Sequence, residues 1–249
     1  MKARPLPADS AWPGGRTASE SATGAGGSPP AQAQSDVMEA SVKPRLRGVF
    51  HFWAFFGSIV AGIVLVSLAN GTRARLAALV YVLALAAMFG ASALYHRFPW
   101  RSAGRRAWAR RLDHSMIFIF IAGTNTPFAL LSFTGATPTI VLAAVWGGTA
   151  LGLILNLAWI DAPKWLTALA YLSVGWVALI AAPQLFSKVG VTGAVLILVG
   201  GALYTLGALI YAFRWPNPFP STFGFHEVFH LLVVAAAATQ FVSVLLVVT

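Results

Sequence analysis

Residues 226–230 read His226-Glu227-Val228-Phe229-His230, two imidazoles four positions apart with a carboxylate between them. On a helix, positions i and i+4 share one face, so both rings can reach one metal ion. Soluble zinc proteases use this H-E-x-x-H spacing, with the glutamate as general base and a third ligand usually downstream. No His, Asp or Glu follows His230 here, so a third ligand has to come from upstream. Ser92 and His96 repeat the four-residue spacing, and Asp113-His114 sets a carboxylate beside another imidazole. Three neutral imidazoles that leave a fourth position for water suit zinc well. His96, His226 and His230 are the candidate set. Zinc lowers the pKa of a bound water toward about 7, and Asp113 is the candidate group to hold and deprotonate that water.

Plainer roles exist for each of these residues. A histidine pair on one helix can be a satisfied polar contact between neighbouring helices. Asp113 can cap the start of a helix. Glu227 lies three positions after Gly224, where an acid at the third helical position caps the N-terminus and complements the helix dipole. That capping or supporting role is favoured over the protease base. His114 is expected to be an interfacial neighbour of Asp113 facing elsewhere, and His51 is a reserve ligand.

Composition decides what can position such residues. The chain has 249 residues, 58% hydrophobic and 10% charged, with a mean hydropathy of +0.75. Soluble domains carry about 25% charged residues. An all-α, polytopic membrane protein is expected. Cysteine is absent, which removes disulfides and thiolate metal sites. The net charge of +10 does not mark a nucleic-acid binder, because the basic residues lie between apolar runs and no basic soluble module carries them.

Residues 1–42 are rich in Ala, Ser, Gly and Pro and are expected to be a disordered tail. No signal peptide is expected, since no apolar core precedes "KPRLRG". Residues 43–249 form the membrane domain. Seven apolar spans are expected near 49–68, 76–95, 113–133, 139–160, 164–183, 189–213 and 225–248, each close to the ~20 residues that cross a bilayer as a helix. "ANGTRAR" reads as a turn, "RFPWRSAGRRAWARRL" as a basic loop, and Asp161 as a cap for the fifth helix. With the N-terminus in the cytoplasm, fourteen Lys and Arg fall on the inner side and three on the outer side. The positive-inside rule therefore places the N-terminus inside and the C-terminus outside. On that topology His96, Asp113, His226 and His230 meet at one depth, on the cytoplasmic side. Ionisable residues inside membrane helices default to a functional reading.

The segments "SALYH", "RLDHSMIFIFIAGTNTPFAL" and "FGFHEVFHLLVV", with the entry "KPRLRGVFH", resemble the hemolysin III family over about residues 43–249. That family is the bacterial branch of the progestin and adipoQ receptor superfamily. The resemblance implies a seven-helix bundle with its N-terminus inside, in a bacterial cell membrane. It implies zinc held by His96, His226 and His230, contacted through water by Asp113, with Ser92 close by. Related eukaryotic receptors and the more distant alkaline ceramidases suggest zinc-dependent hydrolysis of a lipid amide. Bacterial members are named for haemolysis and linked to membrane-fluidity homeostasis. Two departures stand out. "RLRGVFH" lacks the acidic residue and the Asn that many members place before the first-span histidine, and Asn125 stands where an aromatic is common.

The leading expectation is a membrane zinc protein in which a zinc-activated water attacks a lipid amide or ester. Asp113 would be the base and Ser92 a supporting hydrogen-bond donor, and membrane lipids would be the partners. The rivals are a non-enzymatic sensor of lipid packing with structural zinc, and a pore-forming cytolysin. The apolar, non-amphipathic spans argue against the cytolysin.

Overall fold

The computed structural model describes residues 43–249, and the expected tail at 1–42 lies outside the described residues. Seven α-helices position the site: α1 (Val49–Leu68), α2 (Gly71–Arg97), α3 (Ala103–Leu131), α4 (Thr137–Ala158), α5 (Lys164–Gly175), α6 (Gly190–Phe213) and α7 (Phe225–Val248). Among the described residues there is no strand, only an isolated bridge between Phe219 and Phe223. Helices α1 to α4 pack in sequence order, α6 packs on α7, and α7 also meets α1, α2 and α3.

Six helical runs among the described residues are long and apolar enough to cross a membrane. The exterior agrees with that. On α1, Trp53, Val60 and Ile63 are each more than 60% exposed, while His51, Ser58, Gly62 and Leu65 face inward. Large apolar side chains covering an outer face are stable in hydrocarbon and costly in water. This is a multi-pass membrane protein.

Seven spans were expected, and the difference lies at 164–213. Those residues are one continuous helical run of 50 residues. The α-helix α5 stops at Gly175, and short turns follow at Trp176–Ala181, Ala182–Gln184 and Leu185–Val189 before α6. The expected single helix over 164–183 is therefore broken half-way. The run folds back on itself. Lys164 Nζ lies 5.3 Å from the Tyr211 ring, and Trp176 Nε1 donates to Thr205 Oγ1 at 3.1 Å. Numbers rise along α5 as they fall along its neighbours on α6, so the two helices are antiparallel.

Three other boundaries differ from expectation. Helix α2 begins at Gly71, so Arg73 and Arg75 belong to it; "ANGTRAR" contributes a turn only at Ala69 and Asn70. Helix α3 begins at Ala103, ten residues before Asp113, with Ser102 in the capping position. Its 29 residues make it ~43 Å long, more than the ~30 Å hydrocarbon core. Ala, Arg and Leu in "AGRRAWARRL" are good helix formers, and a bilayer boundary is not a helix boundary. Asp113 is thus mid-helix and caps nothing. Nor does Asp161 cap α5: Pro163 precedes that helix without a side-chain cap, and Asp161 pairs with Arg110 at 2.9 Å.

Polar side chains tie the bundle together around α3. Asn156 Nδ2 donates to Ser115 Oγ at 2.7 Å and to Arg111 O at 2.9 Å, joining α4 to α3. Tyr171 Oη donates to His114 O at 3.0 Å, joining α5 to α3. Interhelical hydrogen bonds of this kind supply specificity where apolar contact alone cannot distinguish helix from lipid.

Candidate metal centre

His96 is the penultimate residue of α2, and His226 and His230 occupy the first two turns of α7. Their packing brings the three imidazoles together, with one nitrogen from each within 4.8 Å of the others. His96 Nε2 and His226 Nε2 are 3.2 Å apart, and the rings of His226 and His230 have centroids 4.6 Å apart. His96 and His230 are buried and His226 is half-buried. Three such donors could hold a metal ion.

Asp113 comes from the separate helix α3. Its Oδ2 lies 3.5 Å from His96 Nε2. Ser92 sits one turn before His96 on α2 and is buried, with its hydroxyl beside the Asp113 carboxyl. All five residues proposed from the sequence therefore lie at one end of the bundle, and four of them, Ser92, Asp113, His226 and His230, line one cavity there.

Glu227 turns away from this cluster. Its Oε1 accepts from Arg47 Nε at 2.5 Å, and its Oε2 accepts from the Gly224 backbone N–H at 2.8 Å. It is 1% exposed. One carboxylate thus caps α7 and anchors the segment before α1. Asn217 Oδ1 accepts from Phe225 N at 3.1 Å and satisfies a second amide at the same helix start. His114 lines the same cavity. Its Nδ1 pairs with Arg110 O at 2.8 Å and its Nε2 with Tyr211 Oη at 3.3 Å, which keeps both nitrogens out of the cluster.

His51 is the residue whose place the sequence did not settle. Its ring stacks on that of His230, centroids 3.8 Å apart and planes within 1°. Neither His51 nitrogen has a hydrogen-bond partner. The stack sets the plane of the His230 ring.

The segment 43–48 straps this end of the bundle. Lys43 Nζ donates to His96 O, and the backbone amides of Arg45 and Leu46 donate to Ser221 O and Thr222 O, each at 3.1 Å. Burial, and then the like charges of Arg97, Arg106 and Arg47, lower the pKa of the Lys43 ammonium. Gly48 closes the strap with φ +77°, and a Cβ there would lie 2.5 Å from His96 Cβ. Only glycine has both that backbone conformation and that clearance.

The cavity, about 160 Å³, runs from the histidines along three helix stripes. These are Asp113, Ile117, Phe120, Ile121 and Thr124 on α3; Tyr211, Ala208, Tyr204 and Gly201 on α6; and His226, His230, Val233 and Gln240 on α7. Each stripe follows the helical repeat and so keeps to one helix face. The α6 lining was not anticipated from the sequence. Isolated polar residues at helical spacing within apolar spans, such as Tyr204 and Gln240, were the available signal.

A sequence model of the family described as "Haemolysin-III related" matches residues 40–241. The chain is 34% identical over 135 residues to "Hemolysin-3" of Bacillus cereus, a match that covers 54% of this chain and 58% of that protein. It is 31% identical over 134 residues to "Hemolysin-3 homolog" of Bacillus subtilis (strain 168), covering 54% of this chain and 60% of the relative. The human "Monocyte to macrophage differentiation factor" is 23% identical over 197 residues, covering 78% of this chain and 79% of the relative. The matches to the two bacterial relatives thus span less than two thirds of their length.

Proposed function

The chain belongs to the haemolysin-III related family, and from that premise we propose that it is a zinc-holding hydrolase of a membrane-lipid amide or ester, seated in a bacterial plasma membrane. The observation that carries the reading is the convergence of three imidazoles and a carboxylate from three helices at the end of a mainly apolar cavity.

The donor set fits the metal. Two nitrogens ~2.05 Å from a tetrahedral zinc lie ~3.3 Å apart, and His96 Nε2 and His226 Nε2 are 3.2 Å apart. Two neutral imidazoles at that distance would otherwise need one N–H directed at the other ring's lone pair. Zinc held by His96, His226 and His230 would supply Lewis acidity and lower the pKa of a water there. Asp113 Oδ2, 3.5 Å from His96 Nε2, is placed to accept a proton at this end of the cavity. Ser92 Oγ donates toward the Asp113 carboxylate and supports the site. Stacking on His51 holds the His230 ring, and the mainly apolar cavity takes the acyl chain and excludes bulk water.

The antiparallel α5–α6 hairpin supports two crossings within residues 164–213, hence seven in all, with the N-terminus cytoplasmic as the Lys and Arg distribution requires. The test is metal analysis of detergent-purified protein beside His96→Ala, His226→Ala and His230→Ala, with fatty-acid release from lipid measured before and after chelation. About one zinc per chain, lost in each variant together with release, is the expected result. Stoichiometric zinc in all three variants would remove the site. Zinc present without any release would favour the lipid-packing sensor, a reading consistent with the short loops.

A further inference from the structure

The apolar cavity has a polar band far from the histidines. Gln240 lies on α7 ten residues beyond His230, roughly 15 Å along the helix. It is 5% exposed and lines the cavity. Its Nε2 donates to Ile197 O at 3.1 Å. A carbonyl can only accept, so that bond sets the amide's orientation and leaves Gln240 Oε1 as the remaining polar atom. Oε1 is buried with no partner. Gly200 leaves the room for this arrangement: a Cβ there would lie 2.6 Å from Gln240 Nε2.

Tyr204 lines the cavity from α6, seven residues, roughly 10 Å, beyond Tyr211. Its Oη is also buried without a partner. On α3, Thr124 and Asn125 line the same stretch, roughly 17 Å beyond Asp113. Buried polar atoms cost free energy when unpaired, more so within a membrane, where no bulk water can reach them. Gln240 Oε1 accepts only, and Tyr204 Oη can donate, so a hydroxyl group is the chemistry that answers each.

We propose that the cavity is shaped for an acyl chain that carries a hydroxyl group part-way along its length, with Tyr204 and Gln240 as the residues that recognise it. This rests on the lipid reading above and narrows its substrate class. The hydroxyl donates to Gln240 Oε1 and accepts from Tyr204 Oη, while the carbonyl end of the chain lies at the histidines. A plain saturated chain fills the same space and leaves both groups unpaired. Hydroxylation next to the carbonyl leaves them unpaired too, because the band is roughly 10–18 Å deeper.

The experiment measures the dissociation constants of stearate and of a stearate hydroxylated at mid-chain for the full-length, zinc-loaded protein in detergent. Native mass spectrometry or displacement of a radiolabelled chain gives both values. The wild type is expected to prefer the hydroxylated acid about tenfold, the effect of one well-made buried hydrogen bond. In Gln240→Leu and in the gentler Tyr204→Phe the preference should fall toward one, mainly by weaker binding of the hydroxylated acid. Equal affinities in the wild type, as expected if ordered water satisfies the band, would overturn the proposal and leave the lipid reading standing. So would a preference that survives in both variants. If neither acid binds, the lipid reading itself fails and takes this inference with it.

Discussion

Glu227→Gln separates the two meanings of the H-E-x-x-H pattern. In the protease meaning, Glu227 is the base and its loss abolishes hydrolysis. In the structure its carboxylate joins Arg47 at 2.5 Å and caps Gly224 at 2.8 Å, one position and therefore about 100° around α7 from His226. Glutamine keeps an acceptor for the Gly224 amide but loses the ionic partner. A charge-assisted hydrogen bond contributes about 1.5–3 kcal/mol, and breaking a wholly buried ion pair costs about 3–5 kcal/mol. The Arg47 side chain is 12% exposed, so the lower range applies. At about 2–4 °C per kcal/mol for a chain of this size, Tm should fall by roughly 3–12 °C. Glu227→Ala adds the loss of the cap, about 1 kcal/mol more. A double-mutant cycle with Arg47→Met should return a coupling of about 1–3 kcal/mol. Zinc content and lipid hydrolysis should persist in Glu227→Gln at matched folded protein. An unchanged Tm together with lost hydrolysis would refute this reasoning and restore the protease-like assignment.

Asp113→Asn should keep most of the zinc but lower lipid hydrolysis by about 10²–10⁴-fold, the range of a general base; metal analysis beside turnover checks it, and full activity would remove Asp113 from the chemistry. Gly48→Ala should cost about 1–3 kcal/mol for a left-handed backbone and weaken zinc binding by about tenfold or more through its contact with His96; a chelator competition reads the affinity, and an unaltered value would show that the strap does not hold the ligand. A reporter fused after Thr249 should be active only as an exported enzyme, and cytoplasmic activity there would change the number of crossings by one.

The His226–His230 spacing, the membrane environment and the limits of α1 and α7 were all legible in the residues. Each is a local property: a four-residue repeat, a run of apolar side chains, a glycine or proline where a helix ends. The clustering of His96, Asp113 and the α7 pair at one end could also be anticipated, since span order and basic loops set depth. Partners across the bundle were not legible. Arg47 and Glu227 are 180 residues apart, and the His51–His230 stack joins the first helix to the last. Only the order in which helices pack decides such pairs. In a soluble protein, polar and apolar faces reveal that order. Here the outer face of α1 carries Trp53, Val60 and Ile63, so hydropathy does not separate the lipid-facing side from the core. For the same reason hydropathy does not place Tyr204 and Gln240 along one cavity; the packing of α6 on α7 does. The break after Gly175 likewise depended on how the 164–213 run packs back on itself, which no local spacing encodes.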